Sequence, residues 1–153
     1  MIEEKFQVGL FEDARALRQR IFVEEQGYQN EFDEEDERAI HLVLYLDKKP
    51  IGVARLVEVD PETYRLGRVA VIKEYRHHKV GTYLVKFMEV KVKTLGGRKV
   101  ILGAQADKVG FYEKLGYRPN PNGEVYLDEG HPHIMMEKQL KFRKRREADF
   151  KPY

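Results

Sequence analysis

A chain of 153 residues that is 42% hydrophobic and 35% charged is long enough to bury one substantial core, and no apolar run in it approaches membrane-spanning length. It contains no cysteine, which excludes disulfides, thiolate metal sites and a cysteine-borne covalent intermediate. The net charge of +2 is unevenly spread: residues 141–153 hold six Lys or Arg against two acids, a net +4, so the residues before them carry a net −2.

The opening MIEEKFQVGL has neither the basic nor the apolar region of a signal peptide, and cytoplasm is the expected location. Residues 6–10 read as an edge strand and residues 11–26 as a helix with Leu17, Ile21 and Phe22 on its inner face. Residues 24–38, EEQGYQNEFDEEDER, set eight carboxylates against one arginine; they are expected to form a solvated loop, with a helical turn in it. A second use of residues 31–37 would be to draw a cationic amine toward a site. Residues 41–46 and 51–59 flank DKKP as a hairpin, and DPETY turns the chain into a third strand through Gly67, completing a meander.

That third strand ends in Val69, Ala70, Val71 and Ile72, a β-branched run expected of a strand covered on both faces. Beyond Gly81 the period becomes helical, with Leu84, Val85, Met88 and Val92 on one face and Lys86, Glu89, Lys91 and Lys93 toward solvent. Gly96 and Gly97 end this helix. A strand at 100–102, a short helix at 109–115 closed by Gly116, and two strands near Val125 and Ile134 complete a single α+β domain.

Between the third strand and the long helix, Arg76, His77, His78 and Lys79 stand at or just before the first helical turn. Cations there oppose the helix dipole, at a cost of about a few tenths of a kcal/mol each. A bound anion reverses the sign, because unpaired N–H groups and the dipole act on it together, and phosphate is the usual guest. A solvated basic turn accounts for the same charges; the position directly after a buried strand favours the anion site.

The order of strand, VxxxxRxxxxG, helix, strand and FYEKLGY resembles the GNAT superfamily of acetyl-CoA-dependent N-acyltransferases. LRQRIFVEEQG, EFDEEDERAIHLV, GRVAV, LGAQA and PHIMM, in that order, resemble its ElaA-like branch. The resemblance implies one GNAT domain over residues 1–140, with a mixed, mostly antiparallel central sheet flanked by helices, followed by a basic tail at 141–153. It implies transfer of an acetyl group from acetyl-CoA to a primary amine, directly within a ternary complex, and family habit suggests a homodimer.

Site residues carry over in the same way. The backbone of Arg76, His77, His78, Lys79, Val80, Gly81 and Thr82 would wrap the pyrophosphate of coenzyme A, with Val69, Ala70, Val71 and Gln105 along the pantetheine arm. The N–H of Val71 would receive the thioester oxygen, and Tyr112 would protonate the departing thiolate. His133 aligns with a histidine of relatives that share a PHIxM ending and would be the base, while His41, Glu25 and Gln26 are further candidates for the acceptor pocket. The sequence departs from the superfamily's RGxGxG by having His77 and Lys79 where glycines are common. A left-handed backbone there would be strained, although Lys79 and the imidazoles would bring charge to a phosphate.

These residue types suit the chemistry. Acyl transfer from a thioester to an amine needs a neutral nucleophile, a seat for the oxyanion and a proton for the thiolate. A phenol donates, and an imidazole accepts near neutral pH. Without the resemblance, Val71 reads equally as a paired core strand residue, Tyr112 as a core aromatic beside Phe111 and Leu115, and His133 as a structural hydrogen bonder. Two other classes stay open: a catalytically silent acyl-CoA-binding module, and a nucleic-acid binder using KFRKRR, which lacks a reading helix or stacking platform. His77 with His78 and His131 with His133 have no third ligand at a recognisable spacing, so no metal is expected.

Overall fold

The first strand, β1 (Ile2–Val8), begins earlier than its sequence suggests and pairs antiparallel with β2 (Ile40–Leu46) at the edge of the sheet. Its Glu3, Glu4 and Lys5 keep that edge charged, which discourages further strand pairing. The computed structural model describes residues 1–141, so the expected basic tail lies outside the described residues except for Lys141. After β2 the meander continues through β3 (Lys49–Asp60) and β4 (Thr63–Val71), both antiparallel to their predecessors. Asp47 and Lys48 connect β2 to β3 with φ of 49° and 71°, the two left-handed residues of a type I′ hairpin.

The predicted helix at 11–26 is found in two parts. Helix α1 (Glu12–Arg18) runs into a π-helical stretch (Gln19–Glu25), where the Gln26 N–H reaches back five residues to the Ile21 carbonyl at 3.1 Å. Leu17, Ile21 and Phe22 are buried as the periodicity requires. Widened turns of this kind recur at functional sites. Helix α2 (Val80–Thr94) buries Val80, Leu84, Val85, Met88 and Val92. Glu89, expected in solvent, is instead half-buried beneath Tyr117 Oη at 2.8 Å and Lys138 Nζ at 3.0 Å. At the far end of α2, Gly97 allows a close approach: a Cβ there would stand 2.5 Å from Val92 Cγ1 and 2.8 Å from the Tyr64 ring.

Strand β5 (Lys99–Gln105) is followed by α3 (Val109–Lys114), the short β6 (Arg118–Pro119) and β7 (Tyr126–Asp128), and finally β8 (His131–Gln139). The sheet order is β1-β2-β3-β4-β5-β8-β6, with β7 also paired to β8. This is a mixed, mostly antiparallel sheet flanked by helices, the expected α+β class, and its parallel contact is between β4 and β5. That contact covers only Thr63–Arg65 against Lys99–Ile101, after which the two strands part. The parting coincides with a bulge. Val53 faces Ala70 while Arg55 faces Gly67, so β4 carries one extra residue, and Arg68 within it has φ of 52°. A bulge bends its strand and increases its twist, here carrying the end of β4 away from β5.

The acidic segment contradicts the expectation of a solvated loop. Arg18 is fully buried between Glu31 (Nε to Oε2, 2.8 Å) and Asp36 (Nη1 to Oδ1, 2.7 Å). Arg55 binds Asp33 at 2.7 Å and Asp36 at 3.1 Å, Arg68 binds Glu31 at 3.0 Å, and Arg65 binds Glu35. A 3₁₀ turn (Glu34–Glu37) orders these carboxylates, capped by Asp33 with a reciprocal bond from its own N–H to Asp36. Burial alone would raise the Asp36 carboxyl, but hydrogen bonds from Arg18, the Asp33 backbone and Arg55 outweigh it and hold the group at about 2. For Glu31 burial wins, and its pKa is raised despite Arg68 and Arg18.

Candidate active site

The wedge between β4 and β5 opens into a cleft of about 1160 Å³. Val69, Ala70 and Val71 form one wall of it, and the end of β4 is turned toward it by hydrogen-bond alternation. The Ile72 N–H bonds to the Ile51 carbonyl at 3.0 Å, and Val71 lies opposite Gly52. In an antiparallel ladder the pair next to a hydrogen-bonded pair points its N–H and C=O groups away from the partner strand. Val71 therefore directs both groups away from β3, to the side that β5 has vacated. Arg76 meets the carbonyl there, with Nε at 2.9 Å.

The Arg76 guanidinium is engaged inside the protein. It forms a two-pronged pair with Glu25 at 2.5 and 2.7 Å, tying the π-helical stretch to the end of β4. Hydrogen bonds from Arg76, against the effect of burial, hold Glu25 below the usual carboxylate range, which makes it a fixed anion and a poor base. In the turn that follows, His77 has φ of 68° and Lys79 has φ of 64°. Both positions where the superfamily commonly has glycine are thus left-handed in this chain, at a cost of about 1–2 kcal/mol each. Lys79 precedes α2, and the first bond of the helical ladder is Tyr83 N–H to Lys79 O at 3.1 Å. The N–H groups of Val80, Gly81 and Thr82 lie ahead of that ladder, and all three residues line the cleft. A Cβ on Gly81 would come within 3.3 Å of Phe111 Cζ. His78 is exposed beside Tyr75 and does not line the cleft.

Tyr112 reaches the cleft from α3, edge-on to Phe111 at 5.0 Å and to Tyr117 at 5.8 Å. Burial pushes its phenol well above the ordinary range, so the hydroxyl stays protonated. His133 lies across the cleft on β8, nearly buried and stacked on Tyr126 at 5.5 Å. Its Nδ1 is 2.8 Å from the His131 carbonyl. A carbonyl only accepts, so Nδ1 is the donor of this bond, which in the neutral ring leaves the lone pair on Nε2. Gln105 is the register partner of His133, and its Nε2 donates to Gln26 Oε1 at 2.9 Å and Tyr28 Oη at 3.3 Å. Its amide protons are occupied, leaving the carbonyl oxygen free to accept from a ligand.

His41 does not reach the cleft: it is fully buried, and its Nε2–H donates to the Asp36 carbonyl at 2.8 Å. Burial lowers its pKa, which suits a neutral structural ring. The cleft residues that the sequence did not mark as part of the site include Tyr28, Arg55, Arg65, Arg68, Tyr126 and His131. Tyr28 stacks on His131 at 4.5 Å, a pairing across the fold that no local spacing announces. Arg68 is the first of the two residues, with Val69, that the bulge sets opposite Ala54, and a bulge leaves no period in the sequence.

Residues 11–140 match the family model of the acetyltransferase (GNAT) domain. The chain belongs to the GNAT acetyltransferase family. Bacillus subtilis YjcF, an uncharacterized N-acetyltransferase, is 37% identical over 128 residues, covering 82% of this chain and 90% of YjcF. Escherichia coli ElaA is 33% identical over 130 residues, covering 81% of this chain and 84% of ElaA. The crystal structure of ElaA superposes with a TM-score of 0.77 over 91% of this chain and 100% of that one, at 32% identity. The fold is also that of a GNAT acetyltransferase of Elizabethkingia anophelis solved with acetyl-CoA bound, at a TM-score of 0.73 over 91% and 98% of the two chains and 17% identity. As a GNAT member the protein is an acyl-CoA-dependent N-acyltransferase. No helix among the described residues is long and apolar enough to cross a membrane.

Proposed function

We propose that the protein transfers an acetyl group from acetyl-CoA to a primary amine by direct attack in a ternary complex. The observation that carries this reading is the parting of β4 from β5, which turns the Val71 N–H toward the cleft that His133 and Tyr112 also line. The amides of the turn at 76–82, with the dipole of α2 behind them, would hold the pyrophosphate. The carbonyl of Gln105 would meet an N–H of the pantetheine arm.

In the reaction His133 Nε2 takes a proton from the attacking nitrogen as the C–N bond forms at the thioester carbon. The oxygen's growing charge rests on the Val71 N–H, a fixed dipole that needs no reorganisation. Collapse breaks the C–S bond, and the thiolate receives the Tyr112 proton. Because burial disfavours an ionised phenol, Tyr112 serves first as a hydrogen-bond donor to the developing thiolate, and the proton follows. The proton taken by His133 balances the one given by Tyr112.

Thiol release from acetyl-CoA across a panel of amines tests this reading. Release should depend on the amine, and equal release with and without amines would remove the acceptor from the scheme. His133→Ala should lower the rate most at neutral pH and recover in part at alkaline pH, where the acceptor loses its proton unaided. A profile parallel to wild type would reduce His133 to a structural residue.

A further inference from the structure

We infer that the acceptor is an amine that also bears a carboxylate, an amino acid or close analogue, and that Arg65 and Arg68 receive its carboxylate. The inference rests on the acyl-transfer reading above and names the acceptor class for the same site.

The charge network under the acceptor end of the cleft is lopsided. Arg55, Arg65 and Arg68 all reach the cleft, whereas Asp33, Glu35 and Asp36, which balance them, lie behind it. Only Glu31 of the network's carboxylates lines the cleft, and it is held between Arg18 and Arg68. Of this network, three arginines and one carboxylate therefore reach the cleft. Arg65 and Arg68 keep side-chain exposures of 36% and 24%, so a ligand can reach them. Both also have donors to spare among the described residues: Arg65 hydrogen-bonds through Nη2, and Arg68 through Nε and Nη2. Burial and the neighbouring Arg55 lower the pKa of Arg68, a crowding of cations that an anion would relieve.

Asp128 and Glu129 also line the acceptor end, with Glu25 further along the cleft. Glu25 is paired with Arg76, and Glu129 accepts the N–H groups of Gln29 at 2.8 Å and Asn30 at 3.0 Å. Asp128 is exposed at the end of the short β7 strand, so recognition of a carboxylate rests on the unused guanidinium donors of Arg65 and Arg68 rather than on net charge. The cationic face is also next to the base. Tyr126 stacks on His133, and burial and Asp128 raise its pKa against the opposing effect of Arg65, which places Arg65 near this ring pair. A small molecule with its amine at His133 Nε2 and a carboxylate at the two guanidinium groups uses both features, whereas a polyamine or a lysine side chain uses only the first.

The test uses the whole protein, acetyl-CoA and matched triplets: an amino acid, its carboxamide and its decarboxylated amine, for several side chains. The carboxylate-bearing member should have at least a tenfold higher kcat/KM, since a charged hydrogen bond to arginine is lost in the other two. Arg65→Gln, at the more exposed of the two arginines, should raise KM for the amino acid about tenfold and shrink the ratio within each triplet. Amides or decarboxylated amines that react as fast as the amino acids overturn the inference while leaving the acyl-transfer reading intact. A ratio unchanged in Arg65→Gln, with its melting temperature retained, also overturns it. Absence of thiol release with every amine would overturn the acyl-transfer reading, and the inference with it.

Discussion

Lys79→Gly separates two effects that meet at the start of α2. The residue has φ of 64°, and its side chain is exposed, with no ion pair among the described residues. A left-handed backbone costs a non-glycine residue about 1–2 kcal/mol. Glycine returns roughly 0.5–1 kcal/mol of that through the greater freedom of its unfolded chain. The variant should therefore be more stable by about 0.5–1 kcal/mol, a rise of roughly 1–4 °C in Tm for a chain of this length. The same change removes a cation from the proposed pyrophosphate cradle. An exposed charge contact is worth about 0.2–1 kcal/mol, so acetyl-CoA should bind roughly 1.4-fold to fivefold more weakly at low salt, with the difference shrinking as salt is added. Urea unfolding and calorimetric titration at two ionic strengths measure both quantities. A loss of stability above about 1 kcal/mol would show that the left-handed geometry is not a strain that glycine relieves. Unchanged or tighter acetyl-CoA binding at low salt would show that Lys79 takes no part in holding phosphate.

Gly81→Glu puts bulk and negative charge into the proposed diphosphate cradle and should weaken coenzyme A binding at least tenfold, about 1.4 kcal/mol; unchanged affinity by calorimetry, with the fold intact, removes the cradle assignment. Tyr112→Phe keeps the ring contacts and deletes a hydroxyl that makes no hydrogen bond among the described residues, so stability should hold while kcat falls by about 10² to 10⁴. Normal kcat, with chemistry shown to be rate-limiting, sinks its role as donor. The folded Asp36 titrates at about 2 against an ordinary 3.8, so the unfolded chain binds more protons between those values. Its contribution, about 2 kcal/mol, should be complete above pH 3.8 and lost as pH falls through 2, while the raised Glu31 acts in the opposite sense near its own titration. Melting curves from pH 2 to 5 should show a slope that Asp36→Asn flattens; an equal slope in the variant would assign the acid sensitivity elsewhere.

The sequence determined what repeats over short distances. The spacing of Leu84, Val85, Met88 and Val92 specified α2, the apolar runs around DKKP specified the β2–β3 hairpin, and the cationic turn before Gly81 marked the phosphate candidate. Helical period, hairpin turns and chain order are local properties and can be read without a partner. The tertiary structure decided what depends on residues far apart. Eight carboxylates against one arginine looked like a solvated loop because the arginines that bind Glu31, Asp33 and Asp36 stand 13 to 37 residues away, on α1, β3 and β4. The bulge at Arg68 parts β4 from β5, and the pairing of β8 with β5 sets His133 opposite Gln105. The separation of His41 from the cleft followed from how the acidic segment folds over it. Charge pairing and register depend on which groups meet after folding, and those meetings are set by the sheet's long-range contacts and by burial, where an unpaired charge or donor is costly.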